Sequence, residues 1–205
     1  MKLNEQAAAH SENLFLQIPI YLDLLLRWNA RTNLTAIRAP EEIITRHFGE
    51  SLFAAQQIFP AGNSPESNAP AATLADVGSG AGFPGLPMKL WATQLQVTLI
   101  ESHQKKATFL REVIRALKLT DVEVQATRAQ QITQTFDTVT LRAVEHFDQI
   151  LPIAAKLVRP GGRLVLLIGE DQIPAAGSLL PSFKWDNPYT IPNSQRRVLL
   201  IGLKA

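Results

Sequence analysis

The stretch from Asp76 to Gly85, DVGSGAGFPG, combines an acidic side chain with closely spaced glycines. Glycine lets a backbone approach a ligand closely, so such a loop between a strand and a helix commonly holds part of a nucleotide cofactor. From Gly80 onward the stretch fits G-x-G-x-x-G, the dinucleotide-binding pattern. From Asp76 onward it fits D-x-G-x-G-x-G, which is typical of enzymes that use S-adenosylmethionine (SAM).

Three features favour SAM over a dinucleotide. Asp76 stands where dinucleotide enzymes usually have an apolar residue, because an anion there would repel the pyrophosphate. The dinucleotide pattern also puts Pro84, which lacks an N–H group, at the start of the following helix. Further on, LVRPGGRLVLLI predicts a helix, a turn and an apolar strand, a unit that recurs in SAM-dependent methyltransferases. Glu101, at the end of the second predicted strand, suits ribose hydroxyls with either cofactor; otherwise it is an exposed charge.

Strands and helices alternate from residue 73 onward, which predicts an α/β fold with a mostly parallel, doubly wound sheet. With the glycine loop, this predicts the Rossmann-like class of SAM-dependent methyltransferases, including a last antiparallel strand. Ligands of such sheets bind beyond the carboxyl ends of the strands, where the strand order reverses. The predicted strands are 73–77, 97–101, 122–126, 136–141, 163–168 and 197–203, and the clearest helices are 104–118 and 147–158.

The chain divides into three regions of different composition, of which the last forms the α/β fold. Residues 1–59 predict an N-terminal helical extension, and residues 60–72, rich in Pro, Gly, Ser and Asn, predict a linker. Residues 73–205 predict the methyltransferase domain. The extension either docks RNA or only completes the core, and the sequence leaves both open.

Two helices are expected in the extension. The first has Ser11 as its predicted N-cap, and Pro19 predicts a kink or a break in it. The second should run from Pro40 to about Ile58. On the second helix, His47 and Ser51 lie four residues apart and therefore share a face, which borders the active site or simply packs. Between the helices, Asn29, Asn33 and Thr35 are expected to shape the loop or to cap it locally.

Composition limits the other classes of function. The 205 residues are 46% hydrophobic and include no cysteine, so the chain can bury a core but has no disulfide and no thiolate metal site. The four histidines lack metal-ligand spacing, so no metal is expected. Without a signal pattern or an apolar run long enough to cross a bilayer, the protein is expected in the cytoplasm and off the membrane. A net charge of +2 permits a nucleic-acid partner, and nothing demands more than a monomer.

Several motifs together resemble one family. They are GSGAGFPGLPMKL around the loop, RWNARTNLTAIR (27–38), RHFGESL (46–52), LIESHQKKATFLREV (99–113) and LRAV (141–144). In order and spacing they resemble the small-subunit ribosomal RNA methyltransferase G family, also called glucose-inhibited division protein B, over nearly the whole chain. The resemblance implies methyl transfer from SAM to N7 of guanosine 527 in bacterial 16S ribosomal RNA. The partner would be 16S rRNA or the small ribosomal subunit.

The resemblance also implies cofactor contacts at Gly78 and Phe83, at Ala129 and Gln130 after the third strand, and at Arg142 after the fourth. Phe83 is alternatively a core aromatic. Arg142 is expected to face solvent and to hold the SAM carboxylate or a target phosphate, unless it forms a surface salt bridge. The whole predicted cofactor-binding set is Asp76, Gly78, Gly80, Gly82, Phe83, Glu101, Ala129, Gln130 and Arg142.

The implied chemistry asks little of the protein. Guanine N7 carries a lone pair and no proton, so its attack on the methyl group needs no general base. We therefore expect no proton-transfer residue, and catalysis should come from positioning and electrostatics. Arg142 and His47 are the candidates for positioning substrate or cofactor.

The chain departs from the family at three positions. Glu50 replaces the usual Asp, Ile168-Gly169 replaces a frequent Lys-Gly pair, and Pro19 is atypical in the first helix. If the missing lysine helps to hold RNA, substrate affinity would suffer. A basic stretch on the predicted helix 104–118 either contacts phosphates or is only solvated, with Phe109 and Leu110 turned inward. Its members are Lys105, Lys106, Arg111, Arg115 and Lys118, with Arg196 and Arg197 adding charge near the C-terminus.

Three other functions remain open. A SAM enzyme with a small-molecule substrate would show activity insensitive to salt. A binding protein that kept the fold would bind SAM without transferring its methyl group to any RNA. A nicotinamide oxidoreductase would bind NADH and not SAM.

Overall fold

The computed structural model describes the backbone of residues 2–60, 71–144 and 146–205, with side chains from residue 14 onward in those ranges. The predicted linker, residues 60–72, therefore lies almost wholly outside the described residues.

One twisted sheet, with parallel strands at its centre, organises the described residues. The strands are β1 (Thr73–Val77), β2 (Gln96–Ile100), β3 (Val122–Gln125), β4 (Phe136–Arg142), β5 (Val158–Gly169), β6 (Phe183–Trp185), β7 (Tyr189–Thr190) and β8 (Arg197–Lys204). Their order is β3-β2-β1-β4-β5-β8-β6, and β7 also pairs with β8. β1 to β5 are parallel, and β8 runs antiparallel to β5 as predicted. The short strands β6 and β7 were not predicted.

Helices cover both faces of the sheet. They are α1 (Lys2–Thr32), α2 (Pro40–Glu42), α3 (Glu50–Ile58), α4 (Gly85–Trp91), α5 (Gln104–Ala116), α6 (Phe147–Leu157) and α7 (Ile173–Leu179). A π-helical segment, Ile43–Gly49, joins α2 to α3, and 3₁₀ turns occur at Ala129–Gln131 and Glu170–Gln172. Among the described residues, no helix combines the length and the apolar character that spanning a membrane requires.

α1 corrects two details of the prediction. The helix begins at Lys2, so Ser11 lies inside it rather than at its N-cap. The helix also continues through Pro19, so the predicted break does not occur. Pro19 lies on the exposed side, where water can hydrate the carbonyl that its missing N–H leaves without a partner. Tyr21, Leu24 and Leu25 are buried directly after it, and this packing holds the helix together.

Alternating side chains divide the core between the two faces of the sheet. Leu74 of β1 packs on one face, and Ala75 and Val77 pack on the other. The first face is covered by α1, α3, α4 and α5, and the second by α6 and α7. Residues of the predicted N-terminal extension, including Tyr21 and Phe48, belong to the same apolar cluster as β1 and β2. These helices therefore complete the core of the sheet.

Candidate active site

The predicted site residues gather where the strand order reverses, between β1 and β4. The glycine loop follows β1, Glu101 follows β2, the Ala129–Gln131 turn lies beyond β3, and Arg142 ends β4. Carboxyl ends of parallel strands meet at one edge of a sheet, so these residues share that edge. Gly78, Gly80 and Gly82 have φ angles of +69°, +57° and +90°, the left-handed region that glycine tolerates.

Asp76 supports the glycine loop from inside the protein. Its side chain is fully buried, and its Oδ1 accepts a hydrogen bond of 2.7 Å from the Thr140 hydroxyl. Its Oδ2 accepts one of 3.2 Å from the backbone N–H of Gly85, at the start of α4. Burial raises the pKa of Asp76 to about 6, although these hydrogen bonds oppose the rise. Asp76 thus ties β1, β4 and α4 together beneath the loop.

Glu101 fixes the loop from the side. Its Oε2 accepts the N–H of Gly80 at 2.9 Å, and its Oε1 accepts the N–H of His103 at 2.7 Å. Each carboxylate oxygen can accept a further hydrogen bond, so Glu101 can still bind ribose hydroxyls. Ala129 is buried and Gln130 is exposed in the turn beyond β3. Contact of these residues with a cofactor stays a prediction.

Phe83 packs in the core beneath the loop. Its ring is 5% exposed and stacks on Tyr21 of α1, with centroids 5.3 Å apart and planes 3° apart. It also stacks on His47 at 4.9 Å and meets Phe48 edge-on at 5.0 Å. This burial favours the core role that the sequence left as an alternative for Phe83.

Tyr21 explains why residue 82 is glycine. The Tyr21 hydroxyl donates to the carbonyl of Ala81, and burial raises its pKa well above the ordinary value, so it stays a donor. A Cβ on residue 82 would lie 2.3 Å from the Tyr21 hydroxyl oxygen and 2.6 Å from a Leu86 methyl carbon. α1 therefore forms part of the wall of the glycine loop, which sequence patterns alone did not indicate.

Arg142 does not face solvent, contrary to expectation. Only 11% of its side chain is exposed, because the π-helical segment lies across the end of β4. Its Nη2 donates to the carbonyl of Arg46 at 2.8 Å and to Oε2 of Glu50 at 3.1 Å. Its Nη1 meets Nδ1 of His47 at 2.9 Å. The guanidinium is thus held by three partners on one helical segment.

His47 is a neutral acceptor in this arrangement. Burial and then the positive charges of Arg142, Arg46 and Arg197 together lower its pKa from 6.5 to about 3. Because Arg142 can only donate, Nδ1 of His47 accepts, and the proton is on Nε2. Nε2 then donates to the hydroxyl of Thr35, 2.8 Å away. His47 therefore links Arg142 to the loop between α1 and α2.

That loop is ordered by Asn29 and Thr35. Oδ1 of Asn29 accepts the N–H of Thr35 at 3.0 Å, and its Nδ2 donates to the carbonyl of Ile37 at 3.3 Å. The Thr35 hydroxyl also accepts the N–H of Ile37 at 3.2 Å. Asn33 is exposed with φ +50°, the left-handed conformation that Asn tolerates. The expected loop-shaping role is thus seen for Asn29 and Thr35.

Glu50 joins two strands through their arginines. It is 3% exposed, and its carboxylate lies 3.1 Å from Arg142 of β4 and 2.5 Å from Arg197 of β8. The longer Glu side chain, in place of the family's Asp, spans both partners. Arg46 adds a third cation, which pairs at the surface with Glu42. In this cluster the three arginines meet two carboxylates, those of Glu50 and Glu42, which leaves one positive charge in excess and favours an anionic group.

The π-helical segment sets the positions of Arg46, His47 and Glu50. Two hydroxyls bond back into the helix: Thr45 within the segment donates to the carbonyl of Glu41 at 2.7 Å, and Ser51 just after it donates to that of His47 at 2.6 Å. Such back-bonding disturbs regular α-helical geometry. Sequence patterns predicted one regular helix from Pro40 to Ile58; the β-branched run at 43–45 and Gly49 were the available signals of irregularity.

The remaining predicted residues lie outside this cluster. Ile168 is 5% exposed in the core and pairs with Val198, so in this chain the family's lysine position is internal. Phe109 and Leu110 are fully buried, as predicted. The basic residues of α5 and its end are mostly exposed, and Arg111 donates to the carbonyl of Val124 at 3.4 Å. Across the described part of the chain, no three His, Asp or Glu side chains are grouped to hold a metal ion.

Sequence comparisons place these features in a family. The model of the family described as rRNA small subunit methyltransferase G matches residues 15–176. The ribosomal RNA small subunit methyltransferase G of Xanthomonas euvesicatoria is 42% identical over 151 residues, 73% of this chain and 66% of that protein. The protein of the same name from Chloroflexus aggregans is 40% identical over 207 aligned residues, 95% of this chain and 83% of that protein. The matched chain thus spans 66% of the length of the Xanthomonas relative.

Structural comparison agrees. Magnesium protoporphyrin IX methyltransferase from Synechocystis PCC 6803, solved with bound SAM, has a TM-score of 0.68 to this chain. The superposition covers 90% of this chain and 97% of that one at 13% identity, a likeness of fold alone. The predicted Rossmann-like methyltransferase fold is confirmed. From the matched motifs, the high identity to named relatives and the shared fold, we conclude that the chain belongs to the ribosomal RNA small subunit methyltransferase G family.

Proposed function

We propose that this chain transfers the methyl group of SAM to N7 of guanosine 527 in bacterial 16S rRNA, acting in the cytoplasm as a monomer on the rRNA or the small subunit. The names of the relatives support an rRNA substrate. The fold supports SAM as methyl donor. The choice of N7 is supported by the chemistry of the site.

The proposal of N7 as the methyl acceptor rests on four ionisable side chains of the site, which already have partners within the protein. The carboxylates of Asp76, Glu101 and Glu50 each contact donors or cations of the protein. Neutral His47 has both ring nitrogens paired. Of these four side chains, Glu101 retains acceptor capacity and is assigned to the ribose, so none of the four is placed as a general base. Guanine N7 suits such a site because it has a lone pair and no proton to remove.

The residues then divide the work of binding. The glycine loop would meet the methionine part of SAM, Glu101 the ribose hydroxyls, and Ala129 and Gln130 the adenine. The cations around Arg142 would hold the SAM carboxylate or an RNA phosphate. Bound SAM supplies an electrophilic methyl group on a positive sulfur. As N7 forms its bond to that carbon, the carbon–sulfur electron pair passes to sulfur and the positive charge moves to the base.

Labelled methyl transfer tests the proposal. Small subunits that lack the modification are incubated with labelled SAM and the wild-type chain, and the label is mapped by borohydride and aniline cleavage, which cuts at N7-methylguanosine. We expect label at guanosine 527 alone. Arg142→Ala should lower kcat/KM by about 100-fold, since it empties the centre of the cation cluster.

Arg159→Ala is the matched control. Arg159 is half exposed and pairs with Asp137 at the amino end of β4. Arg159→Ala therefore also removes one arginine charge, but at a position away from the site. It should retain wild-type transfer. A wild-type chain that binds SAM but labels no rRNA would contradict the proposal.

A further inference from the structure

A cavity of about 480 Å³ lies at the C-terminal end of α1, away from the candidate active site. It is bordered by Arg27, Trp28, Arg31 and neighbouring residues of α1, together with Glu112 of α5. None of these residues belongs to the cluster around Arg142 or to the glycine loop. The cavity therefore needs its own explanation.

Trp28 gives the cavity a fixed aromatic wall. Its indole Nε1 donates to Oε2 of Glu112 at 2.9 Å, and its ring packs on Phe109 with centroids 5.7 Å apart. The side chain is nevertheless partly exposed, where it borders the cavity. An indole held in this way offers a flat apolar surface without losing rotamer freedom when a ligand arrives.

The charges at the rim favour an anion. Arg31 is exposed and has no hydrogen bond or ion pair to any residue that the structure describes. Arg27 pairs with Asp23 at 2.8 Å, and both side chains are about two-thirds exposed, so this pair is weak and exchangeable. The lining contains one acid, Glu112, whose Oε2 accepts the Trp28 N–H and which keeps its charge, so the lining carries two cations against one anion. Two guanidinium groups beside an indole match the phosphates and the base of a nucleotide.

We propose that this cavity binds one unpaired nucleotide of the RNA substrate, separate from the methylated guanine. Its base stacks on Trp28, and its flanking phosphates meet Arg27 and Arg31. This inference rests on the proposed function, because it takes RNA as the substrate.

Aromatic contacts connect the cavity to the glycine loop. Trp28 contacts Phe109, whose centroid is 6.3 Å from that of Tyr21, and Tyr21 stacks on Phe83. All of these rings lie on the same face of the sheet. A nucleotide stacked on Trp28 is thereby held at a fixed distance from the cofactor edge, which would set the register of the RNA.

Kinetics of Arg31→Gln test the phosphate contact. Arg31→Gln should raise KM for unmodified small subunits about five- to tenfold, and kcat and SAM affinity should stay unchanged. The slope of log Kd against log salt concentration should fall by about one for one lost phosphate contact. Lys184→Gln, the loss of an exposed charge on β6, is the control and should change neither value. If Arg31→Gln keeps the KM and the salt slope of the wild-type chain, and the wild-type chain is active on RNA, the inference about the cavity is wrong. The proposed function would not be affected by that result.

Trp28 fluorescence tests the stacking without any methyl transfer. A Trp91→Phe/Trp185→Phe variant retains Trp28 as its single tryptophan, since the chain has three. A single-stranded RNA decamer should quench its emission, and a duplex of equal length should not. Bound decamer that leaves the emission unchanged would overturn the inference. If no RNA is methylated, the proposed function is contradicted. Quenching of Trp28 would still show whether the cavity binds a nucleotide.

Discussion

Two buried carboxylates in the site have opposite electrostatic surroundings. Asp76 accepts hydrogen bonds from uncharged donors, the Thr140 hydroxyl and the Gly85 N–H, and burial outweighs these bonds and the positive charge of Arg142, so its pKa rises. Glu50 is equally buried but lies between two arginines. Removing the charge should therefore relieve a pH-dependent cost at the first position and destabilise the protein at the second.

Asp76→Asn tests the first case. The folded pKa of about 6 lies above the ordinary 3.8, so the folded state binds more protons, and Asp76 costs stability as pH rises from 4 to 7. The asparagine variant lacks this dependence. Its free energy of unfolding relative to wild type should therefore increase by about 1 kcal/mol between pH 5 and 7. Urea unfolding of both proteins at these pH values measures it, and a pH-independent difference would contradict it.

Glu50→Gln tests the second case. Neutralising it leaves Arg142 and Arg197 without their buried counter-charge, so it should destabilise the fold by about 3–5 kcal/mol. Glu42→Gln is the matched control, because the Glu42 pair with Arg46 is exposed and should cost less than about 1 kcal/mol. Denaturant unfolding measures the loss in free energy of unfolding for each variant. Equal losses would show that the buried pairs of Glu50 contribute no more than the exposed pair of Glu42.

At the scale of elements, the glycine loop depends on a helix far from it in sequence. α1 places the Tyr21 hydroxyl against Ala81 and Gly82, and the π-helical segment places His47 on Phe83. Two elements of the predicted extension thus shape the edge of the sheet that holds the glycine loop.

Sequence patterns predicted the elements whose signals are local. Apolar runs indicated β1 to β5 and β8. The spacing of the glycine loop indicated Asp76 as a candidate site residue, and the end of the second predicted strand indicated Glu101. A π-helical segment arises from shifted backbone hydrogen bonds, which side-chain periodicity does not report, so the partners of Arg142 stayed hidden. β6 and β7, with three and two residues, are too short for a periodic pattern. The predicted break at Pro19 was wrong because the helix tolerates a proline on its exposed side. Which side is exposed depends on tertiary packing, which the sequence pattern does not report.

Gly82→Ala tests the contact between α1 and the loop. A methyl group there would collide with Tyr21 at a residue with φ +90°, so we expect a loss of roughly 3 kcal/mol in stability. SAM affinity, measured by calorimetry, should fall more than tenfold. Gly177→Ala in α7 is the control, since nothing lies within 4 Å of the added carbon. It should gain about 0.5–1 kcal/mol. Similar results for both variants would refute the steric explanation.

At the scale of the molecule, one apolar cluster contains parts of α1, α3, α5 and the central strands. Tyr21, Leu25 and Phe48 are almost wholly buried in it. The chain should therefore behave as one cooperative unit, although its composition divides it at residues 60–72.

Calorimetry tests this unity. We expect a single thermal transition whose calorimetric and van't Hoff enthalpies agree. A fragment of residues 71–205 exposes the apolar surface that Tyr21, Leu25 and Phe48 cover, so it should not unfold cooperatively. Two separate transitions in the whole chain, or a cooperatively folding fragment, would show that the N-terminal helices are an independent extension.

The contact between Tyr21 and Gly82 also constrains how this chain can evolve. The hydroxyl of one residue occupies the space that any side chain on the other would need. A side chain at position 82 is therefore incompatible with Tyr21, although sixty residues separate Tyr21 from Ala81, the neighbour of Gly82. Recombination between two lineages should therefore fail when it joins Tyr21 from one parent to a larger residue at position 82 from the other, and a change at position 21 alone would not rescue it, because Leu86 also fills that space.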